Sequence, residues 1–113
     1  MSEWGLPVDL LVLTETHHML SGDVIQGYRT APDLQSPPFS VASGGVAIAL
    51  SSCCSLLGSH VADFFVAAAL HVQGIGRLVV AGVYIPPAGS QWYHGSYGDH
   101  IDRIFEAVAT LGL

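Results

Sequence analysis

Lysine is absent from this sequence, and its only fixed cations are Arg29, Arg77 and Arg103, set against nine carboxylates for a formal net charge of −6. Sequence-independent nucleic-acid binding depends on a basic stripe that releases counterions from the phosphates, and three arginines cannot build one. Without lysine there is also no P-loop, whose chemistry needs that side chain on the phosphates. The two cysteines, Cys53 and Cys54, are adjacent. Sequence neighbours seldom reach disulfide geometry, so no secreted-type framework is read, and a reducing, intracellular setting, cytoplasmic or nuclear, is expected. The pair also lacks the spacer of a structural zinc site. Long apolar runs are missing too: Phe64 to Val72 is about half of the roughly 20 residues a bilayer span needs, and it is flanked by Asp63 and Gln73. The opening Met1-Ser2-Glu3 carries an acid where a signal peptide carries basic residues, so neither a leader nor a membrane span is expected.

The sequence has 113 residues, half of them hydrophobic. That length forms one domain, 1–113, able to bury roughly two thirds of its unfolded surface, and the apolar fraction argues against disorder. Asp9 to Leu13 is a near-continuous apolar run of the kind covered on both faces, and it ends in the polar cluster Thr14-Glu15-Thr16-His17-His18. Ser21 to Ser43 reads mostly as loop, with Gly27-Tyr28-Arg29-Thr30 its one short strand, because Ser36-Pro37-Pro38 opposes ladder pairing. Gly44-Gly45 opens a second apolar strand, Val46 to Leu50, that stops at Ser51-Ser52-Cys53-Cys54-Ser55. Val61 to Val72 and Leu78 to Ile85 form two further runs, and the Gly74-Ile75-Gly76 connection predicts an antiparallel hairpin. Pro86-Pro87 ends the second run, and Ala88 to His94 continues as loop. Ile101, Ile104, Phe105, Val108 and Leu111 then recur at helical spacing, with Ser96-x-x-Asp99 as a capping box and Gly112 as the C-terminal cap.

Few side chains here carry chemistry by themselves. Glu15 sits just past a strand end, where open α/β sheets place ligand-contacting residues, and its carboxylate suits a hard cation; a solvated turn carboxylate is the plain alternative. Tyr84 lies near a strand end with a hydroxyl able to donate to a phosphate, or simply half-buried with a wet tip. His17 and His18 beside Glu15 read either as groups that support a ligand held there or, more plainly, as polar loop residues, and His60 and His71 read as core or edge histidines. His94-Gly95-Ser96-Tyr97-Gly98 fails as a nucleophile elbow, since His94 replaces the first glycine and no strand precedes it. Gly74-Ile75-Gly76 lacks the third glycine and the helix of a dinucleotide fingerprint.

In order along the chain, Asp9-Leu10-Leu11-Val12-Leu13-Thr14-Glu15-Thr16-His17, Gly27-Tyr28, Gly44-Gly45-Val46-Ala47-Ile48 and Tyr84-Ile85-Pro86-Pro87 resemble the endonuclease/exonuclease/phosphatase superfamily. The motifs look most like the apurinic/apyrimidinic-type endonuclease domains of non-LTR retrotransposons. The resemblance implies an α/β fold: an incomplete half of a two-sheet α/β sandwich, with a mixed or antiparallel sheet of about four to five strands and a C-terminal amphipathic helix. It further implies hydrolysis of phosphodiesters with Mg²⁺ or Mn²⁺, Glu15 as a metal ligand and Tyr84 as the residue that contacts the scissile phosphate or supports the attacking group. The family's later Gly-Asp-x-Asn and Ser-Asp-His segments have no counterpart here, and Asp99-His100 at a helix start cannot replace the second. The expectation is therefore an N-terminal part of such a domain, inactive by itself. Its intact relatives act on nucleic acid; a lipid or small phosphate ester is the alternative substrate, and a non-enzymatic module self-associating through an exposed apolar sheet face is a third reading.

Overall fold

A computed structural model describes residues 9–40, 43–86, 89 and 97–112. It is α/β, with two antiparallel sheets and one C-terminal helix, compatible with an incomplete sandwich. The first sheet contains β1 (Leu10–Thr14), β2 (Gly22–Ile25), β3 (Tyr28–Thr30), β4 (Gln35–Ser40) and β5 (Ser43–Leu50). The second contains β6 (Cys54–Val61), β7 (Phe65–Val72) and β8 (Gly76–Val83), and the helix α1 is Tyr97–Gly112.

β5 organises the first sheet. One side pairs with β1 from Leu10↔Leu50 to Thr14↔Val46, while the other is shared between β4 near Ala47 and β3 at Leu50. β7 holds the centre of the second sheet and is buried at every position except His71. Its period of two sorts its side chains between two cores. Val66, Ala68, Leu70 and Val72 face Val46, Ile48 and Leu34 across the sandwich, whereas Phe65 and Ala67 face Ala107, Ile104, Val108 and Leu111 of α1. The layers therefore run first sheet, second sheet, helix. The sheets close on Gly82 of β8, where a Cβ would come within 2.8 Å of both Val12 Cγ1 and Val46 Cγ1. Ser36 Oγ also ties the layers, donating to the carbonyls of Ala62 (2.6 Å) and Asp63 (3.0 Å) in the β6–β7 turn.

Several expectations change. The stretch 21–43 is not mostly loop, since it carries β2, β3 and β4. Pro37 and Pro38 are accommodated because β4 is an edge strand with an irregular register between Pro38 and Ser40, the setting in which a missing N–H is tolerated. The run Val61–Val72 is not one strand: Val61 ends β6, Ala62 N–H donates to Phe65 O (2.9 Å) in a tight turn, and β7 begins at Phe65, while the rest of β6 lies over 54–60, where no strand was expected. The Gly74–Gly76 hairpin forms as expected, with φ of 85° and 103° at its glycines. Gly112 is the last helical residue, not a cap beyond it. Phe105 is 68% exposed and Ile101 45% exposed, so the buried stripe of α1 runs instead through His100, Ile104, Ala107, Val108 and Leu111. His60 and His71 are both exposed, and His60 stacks on Phe65 at 5.7 Å. Ser96 and nearly all of the loop Ala88 to His94 lie outside the described residues.

Candidate functional site

The two residues singled out from sequence meet. Tyr84 directly follows β8 and, in register with Leu78, Val80 and Gly82, projects between the sheets, where it packs against the main core. Its N–H donates to Phe64 O at 2.8 Å, which anchors the backbone. Glu15 follows β1 at the same end of the sandwich. The Tyr84 hydroxyl donates to the Glu15 carboxylate, and this bond, then burial, then the neighbouring negative charge, pushes the phenol above the usual tyrosine value.

Strict alternation along β1 would aim Glu15 away from Tyr84. Val12 points at Gly82 and hence toward the second sheet, so residues 13 and 15 would point to the opposite face. The backbone breaks that alternation. After Thr14↔Val46, the next contacts are Thr16 N–H to Gly45 O (3.2 Å) and His17 N–H to Gly44 O (3.0 Å). Glu15 is thus an extra residue, a bulge of the kind that re-aims side chains at sites. Glu15 and His17 adopt left-handed φ of 54° and 63°, a conformation that is strained for residues with a Cβ.

Gly44 and Gly45 make this approach possible. Their φ values are 83° and 96°, and a Cβ on Gly45 would collide with Thr16 Oγ1 and stand 3.2 Å from His17 N. The other end of the segment is clamped by Gln35, which is 1% exposed. Its Nε2 donates to Leu20 O (2.6 Å) and Ala31 O (3.3 Å), and its Oε1 accepts from Leu20 N (2.7 Å). Sequence reasoning passed over Gln35. A glutamine beside two prolines carries no motif, and only its burial reveals the clamp.

His17 Nε2 is buried with no hydrogen-bond partner among the described residues, and His18 is exposed. Among the described residues no three His, Cys, Asp or Glu side chains converge to hold a metal ion. Glu15 supplies one carboxylate, whereas Mg²⁺ takes six oxygens, so the other ligands of a cation bound here would come from water, substrate or residues beyond these. The arginines are spread out. Arg29 pairs with Leu50 at the far end of the first sheet and borders a groove of about 590 Å³ there. Arg77 Nη2 donates to Leu111 O (2.8 Å) at the start of β8. Arg103 lies on the helix side of the second sheet, beside the Ala62–Phe65 turn.

The cysteines are free thiols with Sγ atoms 4.0 Å apart. Cys53 Sγ donates to Asp9 Oδ1 (3.1 Å) and Cys54 Sγ to Asp9 O (3.3 Å). Burial first, and then the neighbouring Cys53, raises the Cys54 thiol above its usual range. No described helix is long and apolar enough to cross a membrane. No protein-family model, no curated protein and no solved structure matches this chain.

Proposed function

We propose that this chain is part of a metal-dependent phosphodiester hydrolase of the endonuclease/exonuclease/phosphatase type. Glu15 is its metal-ligating carboxylate, Tyr84 its phosphate-contacting hydroxyl, and the chain is inactive by itself. The observation that carries this reading is the Tyr84–Glu15 hydrogen bond. It joins residues from two motifs far apart in sequence, at one end of the sandwich where β1 and β8 both finish. Hydrolysis needs an activated water and stabilisation of charge on the phosphoryl oxygens. A single carboxylate and a phenol supply orientation and one hydrogen-bond donor, which is less than the reaction requires. The adjacency of Cys53 and Cys54, which opposes a disulfide between them, fits an intracellular setting, cytoplasmic or nuclear.

A second reading keeps the superfamily and changes the substrate to a lipid or small phosphate ester. What favours it is the placement of cations. Arg77 and Tyr84 stand at opposite ends of β8, roughly 23 Å apart at about 3.3 Å per residue, and Arg103 faces the helix side. A long polyanion would find no continuous basic track on these three.

Titration with Mn²⁺, followed by paramagnetic broadening of amide signals, tests the proposal. Broadening at millimolar Mn²⁺ should centre on Glu15, Thr16 and Tyr84 and disappear in Glu15→Gln. Broadening that is unchanged in Glu15→Gln removes the metal-ligand assignment. With Mg²⁺, a phosphodiester reporter such as bis(p-nitrophenyl) phosphate and a supercoiled plasmid should both remain at the rate of the blank. Turnover that persists in Glu15→Gln and Tyr84→Phe would overturn the reading.

A further inference from the structure

We propose that Cys53 and Cys54 form a two-coordinate site for a soft monovalent cation, of the copper(I) or silver(I) type, beside Asp9 at the end of β1 opposite Glu15. Adjacent residues of an extended strand point to opposite faces, yet both of these side chains pack against the same core and their Sγ atoms lie 4.0 Å apart. The turn that opens β6 brings them together, with Cys54 N–H donating to Ser51 O (3.1 Å). That turn is fastened to the chain on two sides. Ser51 N–H donates to Asp9 O (3.1 Å) just before β1, and Gln73 N–H donates to Cys53 O (2.9 Å) just after β7. Main-chain bonds therefore set the sulfur spacing, and no ligand is needed to create it.

The spacing suits a pair of metal–thiolate bonds. With the zinc–thiolate length of about 2.3 Å as a guide, sulfurs 4.0 Å apart hold a cation at an S–M–S angle of about 120°, and a linear arrangement needs them about 4.6 Å apart, a shift that side-chain rotation supplies. Thiolates select soft cations, among them copper(I) and zinc, and the number of ligands decides between these. Structural zinc takes four, mostly nitrogen and sulfur, whereas among the described residues no third His, Cys, Asp or Glu completes a group with this pair. Two sulfurs satisfy a monovalent soft cation. Both thiols are protonated in the free chain: Cys53 Sγ donates to Asp9 Oδ1 (3.1 Å) and Cys54 Sγ to Asp9 O (3.3 Å). Binding exchanges these two protons for one cation and leaves a bis-thiolate of charge −1. The chain's net charge of −6 favours the approach of any cation. Access is through the groove of about 590 Å³ that Cys54 borders together with Ser51 and Ser52. Asp9 keeps its place as the former proton acceptor and is not a ligand.

Anaerobic competition against the chromophoric copper(I) chelator bicinchoninate, with ascorbate as a thiol-free reductant, reads the site in the whole chain. A single equivalent of copper(I) should pass to the protein. Cys53→Ser and Cys54→Ser should each weaken binding by about a hundredfold or more, the factor by which a second ligand already in place raises affinity. Asp9→Asn should bind at least as tightly as the parent, because it removes a negative charge beside the new thiolates and no ligand. A further readout needs no variant: an equivalent of silver(I) should protect both thiols from iodoacetamide and raise the urea midpoint, since a cation held by the folded spacing prefers the native state. Three outcomes overturn the proposal: a serine variant within about threefold of the parent, a loss in Asp9→Asn as large as that expected of the serine variants, or a urea midpoint that silver(I) does not raise.

Discussion

Replacing Tyr84 by Phe and Glu15 by Gly, singly and together, separates the two energies that meet at Glu15. The left-handed φ of 54° at Glu15 costs about 1–2 kcal/mol in a residue with a Cβ, while its carboxylate accepts the Tyr84 hydroxyl. A desolvated hydrogen bond to a charged group contributes about 1.5–3 kcal/mol. Here Glu15 is exposed and Tyr84 half-buried, so water competes for both, and about 0.5–1 kcal/mol is the discounted figure. Tyr84→Phe should therefore destabilise by about 0.5–1 kcal/mol, or roughly 2–4 °C in Tm for a domain of this size. Glu15→Gly forfeits the same bond but relieves the backbone, a gain of about 1 kcal/mol after the extra chain entropy of glycine, so alone it should be near neutral. In the Tyr84→Phe background the bond is already gone and the full gain of about 1 kcal/mol should appear. Urea unfolding at pH 7 gives the coupling, expected at about 0.5–1 kcal/mol. Effects that add within about 0.3 kcal/mol would show that phenol and carboxylate do not meet in solution; a strongly destabilising Glu15→Gly would refute the strain. The pH dependence has a definite sign. The folded state holds the phenolic proton more tightly than the unfolded chain, so this contribution is complete below pH 10 and is lost as pH rises through the raised value.

Gln35→Leu keeps the volume but strands Leu20 N–H and O, and should cost about 2–3 kcal/mol, with amide exchange at Leu20 accelerating well before global unfolding. Gly82→Ala pushes a methyl against Val12 and Val46; overpacking of this kind costs about 1–3 kcal/mol, and adding Val12→Ala should recover only part of it, since Val46 remains. Gly45→Ala combines a positive φ with the collision at Thr16 and should lower the Tyr84 ionisation, followed by ultraviolet difference absorbance, toward the ordinary tyrosine value. Cys54, raised by burial, should react with a disulfide reagent slowly at pH 7 and accelerate only as pH passes its usual thiol value of 9.0.

Strands that announce themselves in this sequence are contiguous apolar runs. β1, β5, β7 and β8 are such runs, and the Gly74–Gly76 hairpin was legible because its glycines are needed for positive φ. β6 was hidden because Gly58, Ser59 and His60 interrupt its hydrophobic pattern, and β4 because its prolines are excluded only from paired interiors, not from an edge. On α1, hydrophobicity alone overrated Phe105 and Ile101. The buried stripe includes His100, set edge-on to Phe64 at 4.5 Å, and Ala107, neither of which carries weight in a periodicity count. Glu15 and Tyr84 could be marked from motif order, but their contact could not. It depends on a bulge whose cause lies on another strand.

That cause is the glycine pair of β5. Thr16 and His17 donate to the carbonyls of Gly45 and Gly44, one residue out of step with the β1–β5 register, and only glycine leaves room for Thr16 to lie so close. The surplus residue must be taken up between Thr14 and Thr16, and Glu15 is the one residue there. Its strained φ is thus imposed by pairing on both sides of it rather than by its bond to Tyr84, a bond worth less than the strain at this exposed position. Tyr84 inherits a carboxylate already turned toward it. Such an arrangement holds an acidic side chain in place without requiring a ligand to order it first, the preorganisation expected of a group that receives a cation.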